Sequence, residues 1–184
     1  MKDHGQAHNS PMSSKPKENN PKEHPKECLV GSGKPLDPEA IKSILLKRFG
    51  SVIEETQVIN KELVIWVSAA NLLEVGRFLK DSELAFDHPR CLCGVDQGEY
   101  LEVVYHLCSI SRNHKITVKV KLPRHMPKVP SLYSVYKGAD WHEREAAEMF
   151  GIIFEGHPDP RHLLLLDDFQ GYPLRKDFSW SAPE

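Results

Sequence analysis

The sequence lacks any long hydrophobic run. The four leucines 163–166 are typical of its longest apolar stretches, whereas a membrane-spanning helix needs roughly 20 apolar residues. The formal net charge is only −2, so the chain has no overall basic field that would attract nucleic acid or an acidic membrane surface. We therefore expect no binding to nucleic acid, and contact with a membrane only through partner proteins.

Cysteine is also scarce. The four cysteines, Cys28, Cys91, Cys93 and Cys108, are too few and too widely spread to make a dense disulfide framework. The N-terminal residues mix acidic, basic and histidine side chains without arginine or an apolar core, which argues against a secretory signal and a mitochondrial transit peptide. These features predict a protein of the reducing cytoplasm.

Residues 1–36 contain few apolar side chains. Before Cys28 the only ones are Met1, Ala7 and Met12, and five prolines interrupt the segment. Such a stretch cannot bury enough surface to offset the entropy of ordering its backbone. We predict a disordered tail at 1–36. Three histidines in it could bind a stray metal ion, although a solvated tail explains them better: His4, His8 and His24.

Helix and strand patterns begin after this tail. Asp37 suits an N-cap, Pro38 the first helical position and Gly50 the residue after the helix. Two strand-like runs then meet at Asn60 and Lys61, which predicts a hairpin. The other predicted elements are strands at 51–59, 62–68, 84–87, 100–110 and around 114–122, and helices at 70–80 and 131–150, the last broken near 137–138.

The strand around 114–122 has its apolar residues on one side and its polar residues on the other, which is typical of a sheet with one buried face. After Gly151 the chain is predicted to be extended and proline-rich. The predicted fold class is therefore α+β, with a mixed or largely antiparallel sheet flanked by helices. We expect an α+β domain at 37–150 and an extended C-terminal arm at 151–184 that docks on a partner subunit.

The densest group of ionisable side chains lies at residues 141–150. His142 and Glu143 resemble the start of a zinc-protease helix, but the position of the second histidine is Ala146, which excludes that site. On a helix Glu148 would share a face with Glu145 and also with Arg144. These carboxylates could form an acid–base pair, but a charged surface or a partner contact is the simpler interpretation.

Cys91 and Cys93 are the strongest candidates for metal ligands. A complete site would also have to use Cys108, His88, His106 or the distant Cys28, and this ligand set is irregular for zinc or an iron–sulfur cluster. In a strand, residues 91 and 93 point to the same face, so buried free thiols are the simpler interpretation. His157 and His162 flank a proline-stiffened segment that favours a rigid linker over a ligand loop.

Several motifs together resemble the signature of the thirty-kilodalton subunit family of complex I. The matching residues are Glu143, Arg144, Glu145, Glu148, Met149, Phe150, His157, Arg161, Leu163 and Leu164. Residues 171–178 resemble the closing motif of the family, and residues 94–96 and 102–106 resemble its central strands. The resemblance covers roughly 37–178; the tail and the two strand cysteines depart from the family pattern.

This resemblance implies a cofactor-free structural subunit in the peripheral arm of an ion-translocating quinone oxidoreductase. It implies packing on the forty-nine-kilodalton-type partner, here called the D-like subunit, and on neighbouring iron–sulfur subunits, with flavin and iron–sulfur clusters on those partners. No catalytic, cofactor or metal residue is expected on this chain, and the complex would lie on the cytoplasmic face of the cell membrane. A related deazaflavin dehydrogenase or membrane-bound hydrogenase is the alternative, and an independent metal-binding protein is a more distant one.

Overall fold

The computed structural model describes residues 34–180. The predicted tail falls almost entirely outside these residues, as do Cys28 and the three tail histidines. Three α-helices lie in the described part: α1 (Pro38–Phe49), α2 (Leu72–Asp81) and α3 (Asp140–Phe150). None of the helices there has the length and apolar character that a membrane span requires.

The predicted ends of the first helix are confirmed. The Asp37 carboxylate accepts a hydrogen bond from the backbone N–H of Glu39, Pro38 is the first helical residue, and Gly50 follows the helix with a φ of +49°. These three residues suit the helix ends, where backbone groups have no hydrogen-bond partner within the helix. The second predicted helix is also present, and a short 3-10 turn (Ala69–Asn71) leads into α2.

A five-stranded sheet forms the centre of the molecule. Its strands are β1 (Ile53–Ile59), β2 (Glu62–Val67), β3 (His88–Asp96), β4 (Tyr100–Ser109) and β5 (His114–Pro123), in the order β1-β2-β5-β4-β3. Strands β2 and β5 are parallel, and the other neighbours are antiparallel. Asn60 and Lys61 both have positive φ, as a tight hairpin turn requires. The predicted α+β class is confirmed.

One face of the sheet carries the hydrophobic core. Alternate residues of β4 and β5, such as Val103 and Val118, point into it together with buried residues from all three helices, such as Leu45, Leu79 and Phe150. The cross-strand pairs of β3 with β4 place Cys91 and Cys93 on the opposite face. The sheet therefore has one face that packs on the three helices and an opposite face that carries the two half-buried cysteines.

A second, two-stranded parallel sheet joins the arm to the domain. It pairs β6 (Lys128–Pro130) with β7 (Ile153–Glu155). Ile152 and Phe154 are buried in the main core. The boundary at 150/151 stays a prediction, but the core of the domain extends across it into the first residues of the arm.

Two predicted elements are wrong. Residues 84–87 form a turn with Ala85 at positive φ, in which Leu84 and Phe86 are buried. Their apolar character reflects burial, which a turn can provide as well as a strand. The helix predicted at 131–150 begins only at Asp140, after turns at 131–136 and a 3-10 turn (Lys137–Ala139).

Close packing at Gly94 gives a test of the core. A Cβ atom at this position would lie 2.5 Å from Cδ2 of Phe150 on α3, so the ring or the helix would have to move. We expect Gly94→Ala to lower the free energy of unfolding by about 2 kcal/mol, as overpacked cores do. Urea unfolding measures this loss, and the same alanine in a Phe150→Leu background should cost much less. An equal loss in both backgrounds would contradict the steric explanation.

Candidate functional site

Two residues of the signature, Arg144 and Glu148, lie on α3 and face the arm. Arg144 and Glu148 are one helical turn apart, so their side chains share a face. Both reach the backbone of residues 161–165, which has neither helix nor strand structure. The site is therefore a contact between a helix and an irregular segment.

Glu148 binds the arm through three consecutive backbone N–H groups. Leu163, Leu164 and Leu165 donate to its carboxylate oxygens at 3.0 to 3.2 Å, and the Glu148 side chain is buried. A carboxylate that accepts several N–H bonds is a strong, charge-assisted acceptor. These bonds hold the leucine run in a fixed turn against α3.

Arg144 holds the preceding residues through their carbonyl groups. Its Nε donates to the carbonyl oxygen of Arg161 and its Nη2 to that of His162, both at 2.9 Å. Its Nη1 lies 3.6 Å from Asp159 Oδ2. The spacing of Arg144 and Glu148 suggests that they pair with each other. In the structure each side chain is directed to the arm backbone instead.

The far end of the arm returns to the sheet at Asp96, the last residue of β3. Asp96 accepts hydrogen bonds from the backbone N–H groups of Gly98 and Lys176 and from the guanidinium of Arg124. Arg124 also pairs with Asp177 at 2.7 Å. The bond from Arg124 holds the pKa of Asp96 well below its usual range, so the carboxylate stays ionised and keeps the arm in place.

Between these two points the arm crosses the C-terminal end of α3. Arg175 Nε donates to the carbonyl oxygen of Phe150 at 2.6 Å, and its guanidinium lies over the Tyr172 ring. Tyr172 packs against Gly151, where an added Cβ would lie 2.5 Å from the ring and where φ is +68°. A glycine is required at this position both by the backbone conformation and by the close approach of the ring.

Glu143 lies on α3 with its side chain fully buried. It accepts hydrogen bonds from the Ser131 hydroxyl and the Leu132 backbone N–H. Burial raises its pKa to about 7, although these two bonds act in the opposite sense. The folded state thus keeps a proton on Glu143 that the unfolded chain releases above about pH 4.5. This difference adds on the order of 3 kcal/mol to the free energy of unfolding. The contribution is complete below about pH 4.5 and is lost as the pH rises through about 7.

His157, in the arm just after β7, faces Glu143 and Asp140. Its Nε2 lies 3.5 Å from Asp140 Oδ1 and 3.9 Å from Glu143 Oε2, and the side chain is 4% exposed. Its Nδ1 accepts a hydrogen bond from the backbone N–H of Asp159. His162, the other arm histidine, lies near the carbonyl oxygen of Leu166 instead. The two histidines therefore have separate partners.

The candidate metal ligands are distributed along the face of the sheet opposite the hydrophobic core. Cys91 lies opposite His106 across β3 and β4, and both cysteines are half-buried free thiols. His106 contacts the Thr117 hydroxyl, which itself donates to Glu62. Within residues 34–180, no three His, Cys, Asp or Glu side chains converge in a way that would hold a metal ion. The expectation that this chain carries no metal stays a prediction.

The carboxylate pair Glu145 and Glu148 is divided between two environments. Glu148 is buried against the arm, whereas Glu145 is exposed and lines a cavity of about 430 Å³ together with Trp141 and Leu164. Trp141, Leu164 and Leu166 are 67%, 63% and 74% exposed. We call these three residues the docking patch.

Two parts of this site were not predicted from the sequence. The bond between Asp96 and Lys176 joins residues 80 positions apart, although each belongs to a motif recognised separately. The group formed by Asp140, Glu143 and His157 was also missed, because the sequence does not show whether the charged side chains of a helix are exposed or buried. The only signal for either was the family signature.

Sequence comparison places the chain among known proteins. The family described as "Respiratory-chain NADH dehydrogenase, 30 Kd subunit" matches residues 65–184. The C subunit of the NADH-quinone oxidoreductase of Chloroherpeton thalassium is 38% identical over 161 residues, which are 84% of this chain and 66% of that protein. The corresponding C subunit of a Roseiflexus species is 44% identical over 127 residues, 67% of this chain and 73% of that protein. The chain spans about two thirds to three quarters of the length of these relatives.

Two solved structures share the fold. The trypsin-resistant fragment (1-134) of Nqo5 superposes with a TM-score of 0.58 at 23% identity, over 65% of this chain and 98% of the fragment. A chain of the membrane-bound sulfane sulfur reductase, an archaeal respiratory membrane complex, superposes with a TM-score of 0.65 at 29% identity, over 77% of this chain and 84% of that chain. On the family match and the identities to its relatives, the chain belongs to the thirty-kilodalton subunit family of the respiratory-chain NADH dehydrogenase.

Proposed function

We propose that this chain is a structural and assembly subunit in the peripheral arm of a complex I-type, ion-translocating quinone oxidoreductase. In this role it packs on the forty-nine-kilodalton-type, D-like subunit near the quinone site. Redox chemistry belongs to the partner subunits, which hold the flavin and the iron–sulfur clusters. Family membership and relatives named as C subunits of NADH-quinone oxidoreductase support this proposal.

The contacts of two signature residues support the structural role. Arg144 and Glu148 direct their charged groups to the backbone of the arm. Groups engaged in this way fix the shape of a surface. The role of the signature is then to present the arm to a partner in one conformation, which lowers the entropy lost on binding.

The docking patch supplies the apolar part of that surface. Leu163 and Leu165 are partly buried, whereas Leu164 and Leu166 are exposed, and Leu164 lines the same cavity as Trp141. Exposed apolar residues grouped in this way are typical of protein–protein contacts, and tryptophan is enriched among residues that dominate binding energy. We assign this patch to the contact with the D-like subunit.

A related complex is the second candidate. The likeness to a chain of the membrane-bound sulfane sulfur reductase favours it, because that complex uses the same subunit fold. A deazaflavin dehydrogenase or a membrane-bound hydrogenase falls in the same class. In each of these complexes the chain keeps its structural role while the electron donor or acceptor differs, so the set of proteins that co-purify with the chain distinguishes them.

The docking patch predicts a loss of binding without a loss of folding. Replacing Trp141 and Leu164 together by serine should weaken binding to the co-expressed D-like subunit by about 10³-fold, since two central residues contribute roughly 2 kcal/mol each. Titration of the purified partner measures the affinity. The melting temperature should stay within about 2 °C of that of the wild type, because both side chains are exposed and surface changes alter stability little.

The matched control removes exposed apolar surface elsewhere. Leu46 and Met126 are 40% and 50% exposed and lie outside the patch, so replacing both by serine should leave the affinity unchanged. If the patch variant binds as well as this control, the assignment of the contact is wrong.

The hydrogen bonds of Glu148 predict that docking of the arm contributes to the stability of the fold. Glu148→Gln keeps the shape but turns an amide NH₂ toward backbone N–H groups, and we expect it to lower the free energy of unfolding by about 2–3 kcal/mol. Incorporation into the complex should fall as the leucine turn loosens. Glu54→Gln, an exposed change on the edge strand β1, is the control and should change neither quantity. Equal behaviour of the two variants in urea unfolding would show that Glu148 is not holding the arm.

A further inference from the structure

Glu143, Asp140 and His157 form a buried polar group whose hydrogen bonds are incomplete. Asp140 and Glu143 are three residues apart on α3, and His157 comes from the arm. Asp140 Oδ1 and His157 Nε2 are buried without a hydrogen-bond partner, as is the hydroxyl of Tyr105 on β4. Buried polar atoms of this kind are costly, so their arrangement calls for an explanation.

The hydrogen bond at the other ring nitrogen sets the tautomer of His157. Because Nδ1 accepts from the backbone N–H of Asp159, the hydrogen of the neutral ring is on Nε2. Nε2–H then points toward the two carboxyl groups, with Asp140 the nearer at 3.5 Å. With Nδ1 engaged by Asp159, Nε2–H is the group through which His157 meets Asp140 and Glu143.

Other groups facing Glu143 come from each element packed around it. Ser131 and the Leu132 backbone N–H donate to it. Asp140 is the charge on its own helix that raises its pKa, and a charge on Glu143 in turn raises the pKa of Tyr105. Arg144, the adjacent cation on α3, is directed outward to the arm and Asp159. An ionised Glu143 would therefore lie beside a second carboxylate, in a site with little water.

A cavity connects this group to the arm. Its volume is about 270 Å³, and Glu143 and His157 line it together with arm residues 160–162. Lifting the arm from α3 would admit water to Glu143. Because water stabilises the ionised carboxylate more than the protonated one, ionisation favours the lifted arrangement and protonation favours the closed one.

We propose that Glu143 is a proton-dependent catch for the arm, which lies closed over the protonated carboxyl group through His157 and loosens when that group ionises. His157 is a positioning residue, and Asp140 already supplies the carboxylate that its Nε2–H faces. Ionisation of Glu143 thus adds repulsion from Asp140 while adding little to the contact with His157. This catch concerns the chain itself and goes beyond its proposed role in a complex.

Amide hydrogen exchange of the full chain tests the catch directly. Protection factors, corrected for the intrinsic pH dependence of exchange, would be measured for the arm amides 163–165 and for strands β4 and β5. With a pKa of about 7 in the closed arm and an ordinary value when the arm is lifted, linkage predicts about a tenfold loss of arm protection between pH 6 and pH 8. The strand amides, which exchange only on global unfolding, should show the same change at a higher level of protection, so arm amides that are protected less than the strands identify lifting of the arm as a separate opening.

Three variants separate Glu143 from its neighbours. Glu143→Gln should abolish the pH dependence of arm protection. His157→Gln keeps a donor near the Nε2 position and should retain the pH dependence with lower protection throughout, whereas His125→Gln, in an exposed loop, should match the wild type. The tenfold change persisting in Glu143→Gln would overturn the proposal.

A measurement on the wild-type chain keeps the test independent of folding in the variants. The ¹³C shift of the Glu143 carboxyl group, followed by NMR, should titrate near pH 7. Titration of Glu143 near pH 4.5, or equal arm protection at pH 6 and pH 8, would show that no catch exists.

Discussion

The arm has no helix or strand of its own beyond β7 among the residues that the structure describes, so its backbone polar groups must find partners on α3 and on the sheet. Buried N–H and C=O groups are rarely left unpaired. Glu148 supplies acceptors for three N–H groups and Arg144 supplies donors for two carbonyl groups. This exchange between charged side chains and main chain determines the path of residues 161–165, and the exposure of Leu164 and Leu166 follows from it.

The same constraint explains the use of two charged signature residues, Arg144 and Glu148. An acid and a base one turn apart on a helix would ordinarily pair with each other across the surface. Here the arm lies over both, and each binds the backbone group of opposite polarity. Asp96 repeats this arrangement at the sheet, where it accepts the N–H of Lys176. The arm is thus held at both ends by buried or partly buried charges.

Glu143 differs from these residues because it has fewer hydrogen-bond donors and a like charge beside it. Ser131 and Leu132 provide two hydrogen bonds, but the nearby charge is the like charge of Asp140. One helix thus carries Glu148, which faces three N–H groups, and Glu143, which holds a proton near neutral pH. The two residues are chemically identical, so their different environments make Glu148 a permanent contact with the arm and Glu143 a contact that depends on protonation.

The sequence by itself determined the local elements and the fold class. Asp37, Pro38 and Gly50 marked the ends of α1, the hairpin turn lay at Asn60 and Lys61, and the alternation in β5 predicted the buried face of the sheet, because each depends on neighbours within a few residues. Only the tertiary structure decided that residues 84–87 form a turn, that α3 begins at Asp140, and that Ile152 belongs to the core. It also decided which charges on α3 meet the arm and which are buried. Contacts such as the one between Asp96 and Lys176 join residues 80 positions apart, and no local pattern specifies them, because they depend on how the whole chain packs.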